Sequence, residues 1–268
     1  MRTGFFQTSP EFGSVESNVE QVVERLTGVS ADCIVLPELF STGYQFTSKK
    51  EAAALAEEIP DGFTVRRLVE AAKENKLFIV AGIPERSGRD LYNSSVLIGP
   101  KGMAALYRKL HLFWGEKRIF TPGNLPLAVH EIRTASGRKA RIGMMICFDW
   151  LFPEVARTLA LKGADILCHP SNLVLPHCPQ AMITRCLENR VYAVTANRIG
   201  REERVKGLSL KFIGQSEVVG PDGAILYRAS RNKEELQVVD VDFAAARDKK
   251  VTPLNSLFKD RREEFYGA

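Results

Sequence analysis

The sequence predicts an α/β fold that mixes parallel and antiparallel strands. Three observations carry this. Short apolar runs bounded by Gly, Pro or polar residues recur along the chain, and amphipathic helical patterns separate some of them. Two matching turn signals, Gly99-Pro100-Lys101-Gly102 and Gly220-Pro221-Asp222-Gly223, join neighbouring runs directly. Runs joined by a tight turn pair antiparallel, whereas parallel pairs need a crossover, usually a helix.

In order, the strand-like runs fall near 2–7, 33–36, 77–83, 91–98, 103–108, 127–132, 141–146, 165–169, 191–197, 215–220, 224–228 and 236–241. Helical patterns cover 17–27, 63–75, 153–163 and 179–190. The third opens on Pro153, whose fixed φ suits a first turn, and closes at Gly163, which is free to take the left-handed conformation that ends helices. No GxGxxG follows the first strand, so a doubly wound dinucleotide-binding domain is not expected. No sequence period accompanies the two matching turns, which are read as two similar hairpins rather than a repeat.

A chain of 268 residues, 45% of them hydrophobic, can bury a full core, and nothing in it reads as a linker between two domains. Near Phe243 the pattern changes, ending in Asn255-Ser256-Leu257-Phe258-Lys259-Asp260-Arg261-Arg262-Glu263-Glu264-Phe265-Tyr266. The chain is therefore divided into a folded domain over 1–242 and a tail over 243–268 whose alternating charge and aromatic residues point to docking, at a subunit interface.

The 37 basic and 32 acidic residues leave a net +5, dispersed without a basic run, so no nucleic-acid partner is expected. No apolar stretch approaches the roughly 20 residues of a membrane span, and the first residues turn polar too soon for a signal peptide. Five cysteines, at 33, 147, 168, 178 and 186, form an odd set without CxxC spacing. A reducing, cytoplasmic setting is the expectation.

Cys147 closes the apolar run Arg141-Ile142-Gly143-Met144-Met145-Ile146 and so stands where a buried strand delivers a side chain to its end. Glu38 closes Cys33-Ile34-Val35-Leu36-Pro37 in the same way, and Lys109 ends Leu106-Tyr107-Arg108. A thiol with an ordinary pKa near 8.5 is only a few per cent thiolate at neutral pH, so it needs a base or a cation beside it. Burial would raise Glu38 toward the range of a proton acceptor while a nearby ammonium would lower it. Lys109 would hold both groups and, with the main-chain N–H of Phe148, stabilise the negative oxygen of a tetrahedral intermediate. This is the equipment of a cysteine-dependent amide hydrolase.

Each residue also has a plainer reading. Buried cysteines are usually small apolar filler, the reading preferred for Cys33, Cys168, Cys178 and Cys186, and an isolated Glu or Lys is usually a solvated surface charge. Sequence spacing does not show that the three side chains meet. His111, His130, His169 and His177 fall in no metal-binding pattern. His169 is an alternative base for Cys147, although a structural hydrogen bond is at least as well expected of a histidine that ends a strand before Pro170.

At three ordered motifs the chain resembles the nitrilase superfamily, the carbon-nitrogen hydrolases. They are Leu36-Pro37-Glu38-Leu39-Phe40-Ser41-Thr42-Gly43-Tyr44, then Tyr107-Arg108-Lys109-Leu110-His111-Leu112-Phe113, then Ile146-Cys147-Phe148-Asp149-Trp150-Leu151-Phe152-Pro153-Glu154. The likeness runs to about Val241, and the tail looks like that of archaeal nitrilase-like proteins. The resemblance implies a four-layer α-β-β-α sandwich with two mixed sheets, dimerisation through helices such as the one after Cys147, and neither metal nor organic cofactor. It assigns Glu38 as general base, Lys109 as oxyanion stabiliser, Cys147 as nucleophile and Glu116 as a residue that orients Lys109 and substrate.

The resemblance further implies attack of Cys147 on an amide carbonyl, loss of ammonia or an amine, and hydrolysis of a thioester; a nitrile would pass through a thioimidate. Nitrilases typically follow the cysteine with Trp-Glu, so Phe148-Asp149 resembles amidases and carbamoyl hydrolases more. A small aliphatic amide is the expected substrate, with a nitrile or an N-carbamoyl compound as the alternative. Acyl transfer to an amine and a binding module with an unused triad are less favoured. Tyr44, Phe113, Trp114 and Trp150 are expected to wall the site, with Ser171 and Asn172 adding polar contacts, though core packing is an equal reading for each aromatic. No arginine is assigned as a carboxylate clamp; Arg185, Arg190 and Arg198 are candidates only, and a structural or exposed role is the better expectation for each.

Overall fold

The computed structural model describes residues 1–266. Its first sheet runs in the order β14-β1-β2-β3-β4-β5, formed by β1 (Arg2–Gln7), β2 (Cys33–Val35), β3 (Phe78–Ser87), β4 (Asp90–Gly99), β5 (Gly102–Arg108) and β14 (Glu235–Asp240). The second runs β13-β12-β9-β8-β7-β6, from β6 (Val129–Arg133), β7 (Lys139–Met144), β8 (Ile166–Pro170), β9 (Tyr192–Ala196), β12 (Glu217–Val219) and β13 (Ile225–Arg228). In each sheet three consecutive strands, β1-β2-β3 and β7-β8-β9, pair in parallel, and every other pairing is antiparallel. Both Gly-Pro-x-Gly turns join hairpins, β4 to β5 and β12 to β13.

The period-2 alternation of the first sheet builds two cores. Phe5, Cys33, Val35, Val80 and Leu97 face the second sheet. Their neighbours Phe6, Ile34, Ile79, Ala81 and Val96 face the other way, onto helices α1 (Val15–Leu26) and α3 (Phe63–Asn75). Helices α4 (Pro153–Leu161) and α5 (Cys178–Asn189) cover the second sheet, completing the α-β-β-α sandwich.

The sequence pattern missed a short helix, α2 (Lys49–Leu55), and a two-stranded hairpin, β10 (Arg201–Val205) with β11 (Leu208–Lys211). Three alanines give α2 a weak apolar face, and the hairpin is mostly charged, so neither offers the periodicity that marks an element. α2 is capped by Ser48, whose hydroxyl accepts from the Glu51 N–H at 3.1 Å.

Phe243 and Ala246 lie in the core, and Arg247 pairs with Asp165 at 2.8 Å. Lys249 donates to the last carbonyls of α5, those of Asn189 and Arg190, and Phe258 stacks against Lys249 and Arg157. The segment 243–268, read from sequence as a docking tail, thus lies partly on its own chain; its last two residues fall outside the described ones. Among the described residues no helix is long and apolar enough to cross a membrane.

Candidate active site

Glu38 follows β2 in a turn where Leu36 N–H binds Val80 O at 2.8 Å and Pro37 O accepts from Gly82 N–H at 3.2 Å. Gly82 is required there by space: a Cβ would lie 2.5 Å from Glu38 Cα. Lys109 follows β5, with its N–H on Asn93 O and its carbonyl on Gly123 N–H, both at 2.8 Å. Cys147 stands beyond β7 at φ +40, a left-handed conformation that L side chains enter at a cost, and opens a 3-10 turn over Cys147–Leu151.

These elements converge on a buried charge network. Lys109 Nζ donates to Glu38 Oε1 at 2.6 Å and to Glu116 Oε1 at 2.8 Å. Asn93 Nδ2 donates to Glu38 Oε1 at 2.6 Å, and Tyr44 Oη to Glu116 Oε1 at 2.7 Å. Asn172 spans base and thiol: its side-chain Nδ2 donates to Glu38 O at 2.9 Å, and its main-chain N–H faces the Cys147 sulfur. The structure therefore brings Glu38, Lys109, Glu116 and Cys147 together, with Phe148 directly after the thiol.

The electrostatics follow from burial among these charges. Burial raises Glu38 to about 7, against the pull of the Lys109 ammonium. Burial opposes the charge on Lys109, but the carboxylates of Glu116 and Glu38 outweigh it and hold the ammonium above the usual lysine range. Burial, reinforced by Glu38, pushes the Cys147 thiol well up although Lys109 pulls it down. At neutral pH the site therefore holds a protonated thiol, a lysine cation and a carboxyl group poised to exchange a proton.

Asp149, read from sequence only as a marker of amidase-like chains, is buried and ties the site together. Its Oδ2 accepts from Ile146 N–H at 2.9 Å and Tyr107 Oη at 2.7 Å, and its Oδ1 from His111 N–H at 3.2 Å. His169 does not serve the thiol: its Nε2 meets the Cys147 carbonyl at 2.9 Å, and burial lowers its pKa to about 4, so the ring is neutral and donates. Arg185, Arg190 and Arg198 are engaged elsewhere, with Trp150 O and Glu188, with Asp248 O, and with Glu202 and Pro10 O.

A narrow cavity of about 20 Å³ adjoins the thiol, lined by Phe113, Cys147, Phe148, Trp150, Asn172 and Leu173 to Leu175. Trp114 is 59% exposed and lines a separate cleft of about 430 Å³, which is walled by Tyr44 and Glu116 of the charge network and bordered by Val205, Leu208 and Leu210 of the β10–β11 hairpin. Ser171 lines neither; its hydroxyl lies 3.1 Å from the His169 ring. Glu202, on that hairpin, was missed by sequence reasoning. Paired with buried Arg198, it accepts the N–H groups of Tyr44 at 3.1 Å and Gln45 at 2.6 Å, fixing the loop that presents Tyr44.

An α-β-β-α sandwich with a thiol, an ammonium and carboxylates at its strand ends defines a class of cysteine-containing hydrolase folds. Residues 3–250 match the family model for carbon-nitrogen hydrolases, and the chain belongs to that family, within the nitrilase superfamily. It is 44% identical over 269 residues to a nitrilase of Pyrococcus abyssi, covering 99% of both chains. It is 31% identical to an (R)-stereoselective amidase of a Pseudomonas species, over 98% of this chain and 92% of that one. Among solved structures, a carbon-nitrogen hydrolase from Helicobacter pylori superposes with a TM-score of 0.86 at 26% identity, over 99% of this chain and 97% of that one.

Proposed function

We propose that this carbon-nitrogen hydrolase is an amidase acting on small aliphatic amides through a thioester. The observation that carries the reading is the buried Glu38–Lys109–Glu116 network beside a thiol held protonated by its surroundings. A protonated nucleophile needs a base, and Glu38, raised to about 7, can both take a proton and return it near neutral pH.

In the proposed mechanism Glu38 takes the Cys147 proton as sulfur attacks the amide carbonyl. Lys109 Nζ and the Phe148 N–H stabilise the oxyanion, a type of contact worth about 10² to 10³ in rate per donor. Glu38 then protonates the leaving nitrogen, the C–N bond breaks and an acyl thioester remains. A water deprotonated by Glu38 attacks the thioester, releasing the carboxylic acid and restoring the thiol. Glu116 holds Lys109 in place, and Tyr44 anchors Glu116. Phe113 and Trp150 wall the acyl group, Asn172 faces it, and Trp114 stands at the mouth of the neighbouring cleft. The small volume of the cavity at Cys147, walled by Phe113, Phe148 and Trp150, supports small substrates.

Nitrile hydrolysis is the second reading, favoured by the 44% identity to a nitrilase. Ammonia release from short amides, carbamoyl compounds and nitriles tests both. Turnover of amides with none in Cys147→Ala supports the proposal, and a Cys147→Ala protein that stays active refutes it.

We also propose a homodimer, with 1–242 as the hydrolase domain and 243–268 as a docking segment, working in the cytoplasm, where five free, buried thiols stay reduced. A disulfide found by thiol counting on protein isolated from its native cells would count against that location.

A further inference from the structure

We infer that the cleft beside Trp114 is a binding site for an aromatic carboxylate, separate from the cavity at Cys147. None of the residues lining that cavity lines the cleft, so the inference stands apart from the mechanism proposed for the thiol. At about 430 Å³ the cleft has the size of a small-molecule site.

Its walls come from three segments that the fold ties together. The rings of Phe46 and Phe120 pack edge to face at 5.7 Å, which sets the segment 44–49 beside the segment 114–120. Gln45 Nε2 donates to Leu208 O at 3.2 Å, and Glu202 accepts the N–H groups of Tyr44 and Gln45, so the β10–β11 hairpin is fastened to the first of these segments.

The apolar half of the site shows in Trp114. Its backbone stands at φ +42, a left-handed conformation that few bulky residues take, and its indole is exposed. Strained backbone of this kind clusters where ligands are held, and an indole kept in water offers a face on which another ring can stack. Val205 and Leu208 add further apolar surface that is only partly covered.

The charged half is positive. Lys49 and Arg118 both line the cleft and are exposed. Among the described residues neither makes a salt bridge, whereas Arg204 of the hairpin is already paired with Glu51. Glu116 is the one acidic side chain among the described residues that line the cleft, and its charge is answered. Its Oε1 accepts from Lys109 Nζ and Tyr44 Oη, and its Oε2 from Phe113 N–H at 3.0 Å. An aromatic ring covers the apolar walls and a carboxylate answers the two free cations; a ligand with only one of these leaves the other half unused.

Equilibrium dialysis of the full chain against 1-naphthylacetate, read by naphthalene fluorescence, tests this. The expected Kd is about 1 mM or tighter, the affinity of a ligand of that size at ordinary efficiency. The alcohol 1-naphthaleneethanol, which keeps the ring without the charge, should bind about 10-fold or more weakly. Replacing both cations, Lys49→Ala with Arg118→Ala, should weaken naphthylacetate by about 10-fold or more and leave the alcohol within about 3-fold. Trp114→Asn should weaken both ligands, and asparagine accepts the left-handed backbone, so the loop is kept. No retention of naphthylacetate up to about 10 mM would overturn the inference, and so would equal affinities for acid and alcohol. Naphthylacetate bound with unchanged affinity in the cleft variants would lie elsewhere, the cavity at Cys147 included, and would overturn it too.

Discussion

Tyr107 Oη donates to Asp149 Oδ2 at 2.7 Å, so the strand that delivers Lys109 and the turn that delivers Cys147 share one fully buried carboxylate. The two come from different sheets, and this contact, with the bonds of Asp149 to Ile146 and His111, sets their separation. Tyr107→Phe should cost about 1–3 kcal/mol of stability, the range for a buried polar partner left short of a donor. It should also lower kcat more than it raises KM, because it shifts the proposed nucleophile against the Lys109 cation. Denaturant unfolding and steady-state kinetics read the two effects, and unchanged stability would show that the contact is dispensable.

The activity should have an acid limb centred near pH 7. In the proposed mechanism Glu38 must be deprotonated to accept the Cys147 proton, and its folded value is raised to about 7, so kcat/KM should rise as pH increases through that point. Lys109 and Tyr44 are both held above their ordinary values, so neither should impose a fall between roughly pH 8 and 9. A limb near the ordinary glutamate value, in a pH profile of kcat/KM, would show that Glu38 is not the base.

His169 should make the fold acid-sensitive. Its folded pKa, about 4, lies below the free imidazole value. The unfolded chain thus binds a proton that the folded one refuses. The stabilisation is fully present above about pH 6.5 and is lost as pH falls toward 4, on the order of 3 kcal/mol in all. Urea unfolding of the parent and His169→Gln at pH 7 and at pH 4.5 checks this; parallel losses in the two proteins would argue against it.

Gly82→Ala should damage the site from beneath. Its Cβ would meet Glu38 Cα at 2.5 Å and Pro37 O at 2.9 Å, both backbone atoms with no flexible end to yield. We expect about 1–3 kcal/mol of lost stability, as for overpacking, and a lower kcat. Full activity in this variant would mean that the Glu38 turn tolerates displacement.

The docking role of the tail is tested by truncation, and the structure decides where to cut. Ending the chain after Val241 would remove the buried Phe243 and the Arg247–Asp165 pair, so a fall in mass could reflect a damaged core. Ending it after Lys250 keeps these and the helix cap from Lys249. Light scattering should then show a dimer in the full chain and a smaller species in the truncated one; equal masses would show that the tail is not needed for assembly.

Local patterns in the chain were enough to mark which residues could do chemistry and roughly where each element lies. Apolar runs ending in Glu38, Lys109 and Cys147 are local patterns, and the turns at Gly99–Gly102 and Gly220–Gly223 are set by local backbone preference. Elements without a local signal escaped it. The β10–β11 hairpin is charged along most of its length, yet it carries Glu202, whose value comes from Arg198 and the Tyr44 loop far away in sequence. What each side chain faces came from packing. It turned His169 from the thiol to the Cys147 carbonyl, engaged Ser171 with that histidine, moved Trp114 to an exposed cleft and, among the described residues, left Glu38 Oε2 and Asn172 Oδ1 without donors. The physical reason is range. Secondary structure follows from neighbours a few residues apart, whereas partnership, burial and the pKa shifts they cause depend on groups that meet only when the two sheets pack.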